Sequence, residues 1–401
     1  MAAGATKDEG LGPPSVVLAA FLCGVFAFIS LYSTQPLLPY LASVFRASKH
    51  EVSATISAST LGVAFSAALL ALFGERLPRK RTIVASMLLM GTCTFLASTA
   101  RTLPQLYVWR LLQGLVTPGI FVMAISYITE QWPATRMPRI MSIYVSGTVF
   151  GGFLGRITAG ALAERTGWRS VFVVLGALGV VGAALTQWLL EPAAARPSAS
   201  NARLDPVLRN FRELRLLATF GIGFCMLFAL VSTFSYITFY LAAPPFSLST
   251  EQLSWLFSVY LLGLVVTLVV GRMLVRIGLR RGLLGAIASV VTGLLVTLVP
   301  SLFAVGIGLA LVGAGVFVAQ TCTNSFLRDA APAGSRVSAA GTYVSCYYIG
   351  GTVGGIAPAI AWRAGGWPGC VALTCALLGV AATLAFFGWR TRPPLRDPVP
   401  L

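Results

Sequence analysis

The sequence predicts an all-α membrane protein: twelve transmembrane helices in two six-helix bundles related by a pseudo-two-fold axis. Three observations lead there. Of the 401 residues, 57% are hydrophobic and only 10% charged, with a mean hydropathy of +0.84, far from the balance of a water-soluble domain. Apolar stretches of about 20 residues, the length a helix needs to cross the hydrocarbon core, recur between short polar breaks. The chain also repeats itself: displaced by 199 residues, Tyr144-Val145-Ser146 falls on Tyr343-Val344-Ser345, Gly151, Gly152 and Gly155 fall on Gly350, Gly351 and Gly354, and Gly167-Trp168 falls on Gly366-Trp367. A period near half the length marks two copies of one unit, and two like halves in a membrane enclose a central site between them.

Helix 1 spans 15–38 and follows a small, polar segment, Met1–Pro14, without a signal-peptide pattern, so helix 1 serves as an uncleaved insertion signal. Helix 2 (51–73) opens at the capping box Ser48-x-x-Glu51, in which hydroxyl and carboxylate each accept from the other's backbone N–H. Helix 3 (82–100) follows a basic loop, helix 4 (105–129) ends in "EQWPATR", and helix 5 (139–163) carries Gly147, Gly151 and Gly155 at four-residue spacing, a smooth face for close helix contact. Helix 6 (170–190) completes a first bundle over 1–190, and residues 191–215, rich in Pro, Ala, Ser and Arg, read as a cytoplasmic linker. The second bundle, 216–401, repeats the order with helices 7 (216–241), 8 (252–274, opened by Ser249-x-x-Gln252), 9 (283–301), 10 (303–327), 11 (338–361) and 12 (369–389). The alternation of barrel strands is absent.

The formal net charge of +17 sorts by loop. With a cytoplasmic N-terminus, 21 of the 29 basic residues fall in cytoplasmic segments, six in outer loops, and two, Arg110 and Arg156, inside predicted spans. That bias obeys the positive-inside rule and sets both termini in the cytoplasm. Charge scattered over short loops excludes a nucleic-acid surface. The seven cysteines all fall inside predicted helices without a CxxC pair, and His50 is the single histidine, so the sequence offers no metal centre and implies no cofactor.

Four patterns, spread over nearly the whole chain, resemble the major facilitator superfamily. The loop "ALFGERLPRKR" is similar to the family's first signature at Glu75, Arg76, Arg79 and Lys80, with Pro78 and Ala71 in place of glycines. Its second-half copy, "GRMLVRIGLRR", keeps Gly271, Arg276, Gly278 and Arg280 but has Val275 where the acid belongs. "RLLQG" matches the arginine motif of helix 4 at Arg110, Gln113 and Gly114. "GTVFGGFLGR" resembles the antiporter motif of proton-driven exporters, with Gly152 for its proline and Arg156 for its last glycine. "EQWPATR" and "DAAPAGSR" resemble the family's acid-proline-arginine gate. Helix 1, "LYSTQPLLPYL", together with "GRITAGALAERTGWR", looks like the YnfM-type branch, whose members are regarded as twelve-helix exporters of sugars, drugs or metabolites.

The resemblance implies two bundles rocking about a central cavity. Glu75, Arg76, Arg79, Lys80, Arg136, Arg276, Arg280, Asp329 and Arg336 are the expected cytoplasmic gate; the competing reading is a solvated charge run that only sets topology. Arg110 and Arg156 lie inside spans, where an arginine costs at least ~2.5 kcal/mol and therefore pairs or faces water. Glu51, Glu164 and Gln35 are candidate partners at that depth. Arg110 reads either as a fixed ion pair holding helices 2, 4 and 5 or as a group that tunes a proton site or binds an acceptor on substrate. Arg156 replaces a small residue in a packing motif and so points to function. No carboxylate falls mid-span, which leaves Glu51, Glu130 and Glu164, with Arg110 as the arginine opposite, as the candidates to couple protons. The expected cavity lining is Tyr32, Gln35, Arg110, Gln113, Arg156, Tyr236, Tyr240, Gln320, Asn324 and Tyr347, joined by Tyr127 and Tyr343, a set suited to neutral polar or weakly anionic solutes.

The function expected is secondary active export of small organic molecules across the inner membrane, by alternating access and proton antiport, from a monomer surrounded by membrane lipids. An uncoupled facilitator or uptake symporter is the alternative within the class. A lipid-modifying membrane enzyme is the alternative outside it, and lacks a clustered catalytic set.

Overall fold

The computed structural model describes residues 14–73, 76–133, 136–191, 209–331 and 336–389. Among them the chain makes twelve crossings. The first bundle consists of α1, in two pieces (Pro14–Phe28 and Leu38–Phe45), α2 (Lys49–Phe73), α3 (Arg79–Ala97), α4 (Leu103–Val116 and Pro118–Gln131), α5 (Met137–Thr166) and α6 (Trp168–Leu189). The second consists of α7 (Leu214–Ala242), α8 (Thr250–Trp255, a 3-10 turn Leu256–Ser258, then Val259–Ile277), α9 (Leu279–Val296), α10 (Leu302–Ala330), α11 (Arg336–Ile356) and α12 (Pro358–Gly388). Eight crossings are long and apolar enough by length and composition alone; α1, α3, α8 and α11 are shorter, broken or more polar. Exposed Leu61, Phe65, Leu89, Phe303 and Ile360 form the kind of outer surface that only lipid tails solvate.

The breaks have local causes. Pro118 has no N–H and cannot continue the ladder of α4. Between the two pieces of α1, residues 29–37 run as successive turns around Pro36, and the Leu31 carbonyl receives no backbone N–H there. Helix α12 bends at Gly365 and Gly366, the latter at φ +60° where a side chain is disfavoured. Its first turns therefore continue the eleventh crossing, and the twelfth begins at the kink.

Both expected capping boxes form. Ser48 N–H and Oγ each donate to Glu51 at 2.7 Å, and Ser249 N–H donates to Gln252 Oε1 at 2.9 Å while Ser249 Oγ accepts from the Gln252 N–H at 3.3 Å.

The repeat is visible as packing. Helix α5 lies so close to α1 that a Cβ on Gly151 or Gly155 would run into the carbonyls of Val25 and Ile29. In the second half Gly350 and Gly354 of α11 meet the Phe224 and Phe228 carbonyls of α7, the same contacts displaced by 199 residues. Two seams join the halves: α2 against α11, and α5 against the start of α8. Ser57 Oγ donates to the Thr352 carbonyl at 2.8 Å on the first seam.

Candidate substrate-binding site

Arg156 follows Gly152 by four residues, so both occupy one face of α5. The absent side chain at Gly152 lets the guanidinium fold back: Nη1 donates to the Gly152 carbonyl at 2.6 Å, and a Cβ there would stand only 3.2 Å from Nη1. Nε donates to Gln35 Oε1 at 2.8 Å, in the unwound stretch of α1. Gln35 Nε2 in turn donates to Ser235 Oγ of α7 at 3.4 Å, linking the arginine to both bundles. Three rings surround the guanidinium carbon: Tyr32 at 5.0 Å, Phe257 at 5.0 Å and Tyr260 at 4.7 Å.

Arg156 is only 3% exposed, and no carboxylate reaches it among the described residues. Each ring contributes about 0.5–2 kcal/mol. Burying the charge costs several kcal/mol. The site is therefore short of negative charge. It opens on a cavity of about 150 Å³ between the bundles. Tyr32, Gly152, Arg156, Tyr260, Gln320 and Tyr347 contribute to its wall, and Phe28, Val149, Leu227, Leu230 and Phe317 supply apolar surface. A second cation about 4 Å from Arg156 would cost about 4 kcal/mol at an effective dielectric constant of 20.

Arg110 is a different object. It is fully buried, and all its donors are occupied: Nε by the Thr55 carbonyl at 3.4 Å, Nη1 by the Ser30 carbonyl at 2.9 Å and Gln113 Oε1 at 2.5 Å, Nη2 by the Leu31 carbonyl and by Ser59 Oγ at 3.2 Å. Gln113 then donates to Thr94 Oγ1 at 2.9 Å. The expected partners Glu51, Glu164 and Gln35 are not among them; the actual ones are the Ser30 and Leu31 carbonyls where α1 unwinds, the Thr55 carbonyl and Ser59 hydroxyl of α2, and Gln113. Arg110 and Gln113 pin that break and do not line the cavity.

Of the other expected lining residues, Tyr32, Gln320 and Tyr347 lie on the cavity wall and Gln35 holds Arg156. Tyr236 is buried and donates to the Gly355 carbonyl at 3.0 Å. Tyr240 stacks on Trp367 with centroids 6.0 Å apart, Asn324 is exposed, Tyr343 pairs with Thr323 at 2.8 Å, and Tyr127 donates to the Glu191 carbonyl at 3.0 Å. These five are spent on packing or lie off the wall. Tyr260, Phe28, Val149, Leu227, Leu230, Phe317 and Tyr348 belong to the wall without having been singled out. Val149 lies within the GTVFGGFLGR stretch without being one of its marked positions, the others carry no motif, and the only sequence signal of all seven is membership of helices that face the axis.

None of the three candidate carboxylates partners a buried arginine inside the cavity. Glu51 caps its own helix. Glu164 Oε2 accepts from Ser249 Oγ at 2.8 Å and from the Glu251 N–H at 2.9 Å, so the end of α5 caps α8 of the other bundle. On the same rim Arg165 lies 3.9 Å from Glu251, and Lys49 sits over the Trp362 ring at 5.1 Å. Glu130 binds Arg79 at 2.9 Å at the opposite end of the bundle. Of the remaining gate candidates, Arg280 donates to the Phe386 carbonyl at 2.7 Å within its own half. Asp329 lies 3.7 Å from neighbouring Arg328, while Arg76 and Arg276 are exposed and Lys80 and Arg136 partly buried. Arg336 opens α11, and Glu75 lies outside the described residues, as does most of the linker.

Fold and cavity together define a multi-pass membrane protein that surrounds a small chamber with two like bundles. The model of the Major Facilitator Superfamily matches residues 20–355 and 238–401, and the chain belongs to that family. It is thus a transporter and not a membrane enzyme. The chain is 28% identical to the inner membrane transport protein YnfM of Escherichia coli strain K12, over 91% of this chain and 88% of that one. It is 27% identical to the uncharacterized MFS-type transporter YybF of Bacillus subtilis strain 168, over 92% of each. Among solved structures, a bacterial homologue of the human lysosomal transporter Spinster, inward-facing and occupied, superimposes with a TM-score of 0.75 at 17% identity, over 93% of this chain and 96% of that one.

Proposed function

We propose that the chain exports small organic molecules across a bacterial inner membrane by alternating access, as a monomer with both termini in the cytoplasm and with residues 1–190 and 216–401 as the moving bundles. The observation that carries this reading is the cavity walled by both bundles, together with the contacts that join the bundles at Lys49, Glu164 and Ser249, on the rim that the positive-inside rule assigns to the outside. A chamber closed on that side and served by a basic face on the other fits a site loaded from the cytoplasm.

Coupling follows a second observation. Glu51, Glu130 and Glu164 each hold a fixed partner away from the cavity wall, whereas a proton carrier needs a group whose access alternates. That favours uncoupled movement over proton antiport. Substrate-driven alkalinisation of inverted vesicles is the expected sign of antiport, and its absence alongside measurable flux is the sign of the uncoupled mode.

Alternating access is tested by locking the rim. With Glu164→Cys and Ser249→Cys, oxidation in proteoliposomes should arrest flux and reduction should restore it, with no effect on the parent chain. Unchanged flux through a fully cross-linked sample would end the reading.

A further inference from the structure

The cavity carries a statement about what it holds. Arg156 spends one N–H on Gln35 and one on Gly152, which leaves three of its five donors without a partner among the described residues. Nη2 makes no hydrogen bond among the described residues, although the side chain is almost wholly buried. Beside it, the Tyr260 hydroxyl is buried and also has no hydrogen-bond partner, and Tyr260 shares the cavity wall with Arg156. Arg156 and Tyr260 both line this chamber, and both carry donors that no described residue meets, which makes their corner of it an acceptor-binding one. Arg156 is the single charged residue on that wall, so the corner is matched to one negative charge.

We propose that Arg156 and Tyr260 bind the carboxylate of a small monoanionic organic acid whose apolar or aromatic body lies against Phe28, Val149, Leu227, Leu230 and Phe317. The planar guanidinium offers a two-point grip that suits a carboxylate, and an apolar wall suits the rest of such a molecule. A dianion such as a phosphate ester would bring a second charge that no lining residue meets. A cationic drug would meet the uncompensated charge of Arg156, the one charged residue on that wall. Arg156 stands on α5, while Tyr260 stands on α8, so the acid would be held from both sides of the seam that has to shear when the bundles rock.

The assignment rests on the transporter reading for its purpose but not for its test, because binding is measured without transport. Purified full-length protein is titrated with matched acid and amide pairs: benzoate and benzamide, phenylacetate and phenylacetamide, hexanoate and hexanamide. At least one acid should bind, and bind at least tenfold more tightly than its amide. Arg156→Gln should bring that ratio to about one, and Tyr260→Phe should narrow it several-fold. Should Arg156→Gln not fold, Arg156→Lys keeps the charge but loses the two-point grip, and should narrow the ratio as well. No binding by any of the acids, equal binding of acid and amide, or a ratio that survives the substitutions overturns the assignment. A failed rim lock overturns the transport reading instead.

Discussion

Two buried arginines on neighbouring helices of one bundle have opposite surroundings. Arg110 faces protein on every side, and its five donors meet carbonyls, a hydroxyl and an amide. Arg156 uses two donors, is caged by three rings and faces a cavity. Burial by itself therefore does not distinguish a structural charge from a working one. The satisfaction of donors does: a fully paired guanidinium has no further ligand to offer, and a partly paired one beside open space does.

The strongest way to break this contrast is to delete each arginine. Arg110→Ala leaves at least the Leu31 carbonyl and the Gln113 amide oxygen unpaired in the interior, at about 1–3 kcal/mol per group. It should lower stability by about 3 kcal/mol or more, read as a fall in the melting temperature or in the yield of folded protein in detergent. Arg156→Ala should change the melting temperature little, because the Gln35 amide oxygen and three rings lose a partner while a buried charge that no carboxylate compensates is removed. It should at the same time weaken acid binding at least a hundredfold. Equal thermal losses in the two variants would erase the distinction.

A smaller change sharpens it. Gly152→Ala places a methyl group 3.2 Å from Arg156 Nη1 and should displace the guanidinium by a few tenths of an ångström. Acid affinity should fall several-fold with little loss of stability, while Gly285→Ala, where a Cβ meets nothing within 4 Å, should leave the acid-to-amide ratio alone. The smallest effect belongs to the rim. Glu164→Gln keeps a hydrogen-bond acceptor for Ser249 but removes the charge at the N-terminus of α8, worth about 0.3–1 kcal/mol. The open-rim population, read by labelling a single cysteine introduced at Ser249's neighbour Leu248, should rise about two- to fivefold.

Much of the scaffold was readable beforehand. The glycines at 151 and 155 and at 350 and 354 announced a repeated close contact, and both capping boxes could be placed from four residues each. Composition and the length of apolar runs gave the number of crossings, although four of them fall short by composition alone and were completed only by their place in the repeat. The site was legible in part. Arg156 drew notice because it broke a packing motif, and Tyr32, Gln35, Gln320 and Tyr347 followed from polar residues inside spans. The roles of Arg110 and Arg156 stayed apart from view because their partners lie 79 and 121 residues away in the chain and include backbone carbonyls, which no side-chain pattern records. The repeat held one more clue: displaced by 199 residues, Arg156 falls on Gly355 and Arg110 on Leu309, so both charges depart from the duplicated plan.

By itself, then, the sequence determined the solvent, the count of helices, their duplication and the faces along which they approach, since each of these depends on periodicity and on residues near one another in the chain. The tertiary structure decided which buried charge is complete and which is not. That property depends on where α1 unwinds and on what α7 and α8 bring up to it, and only the assembled bundles set those distances.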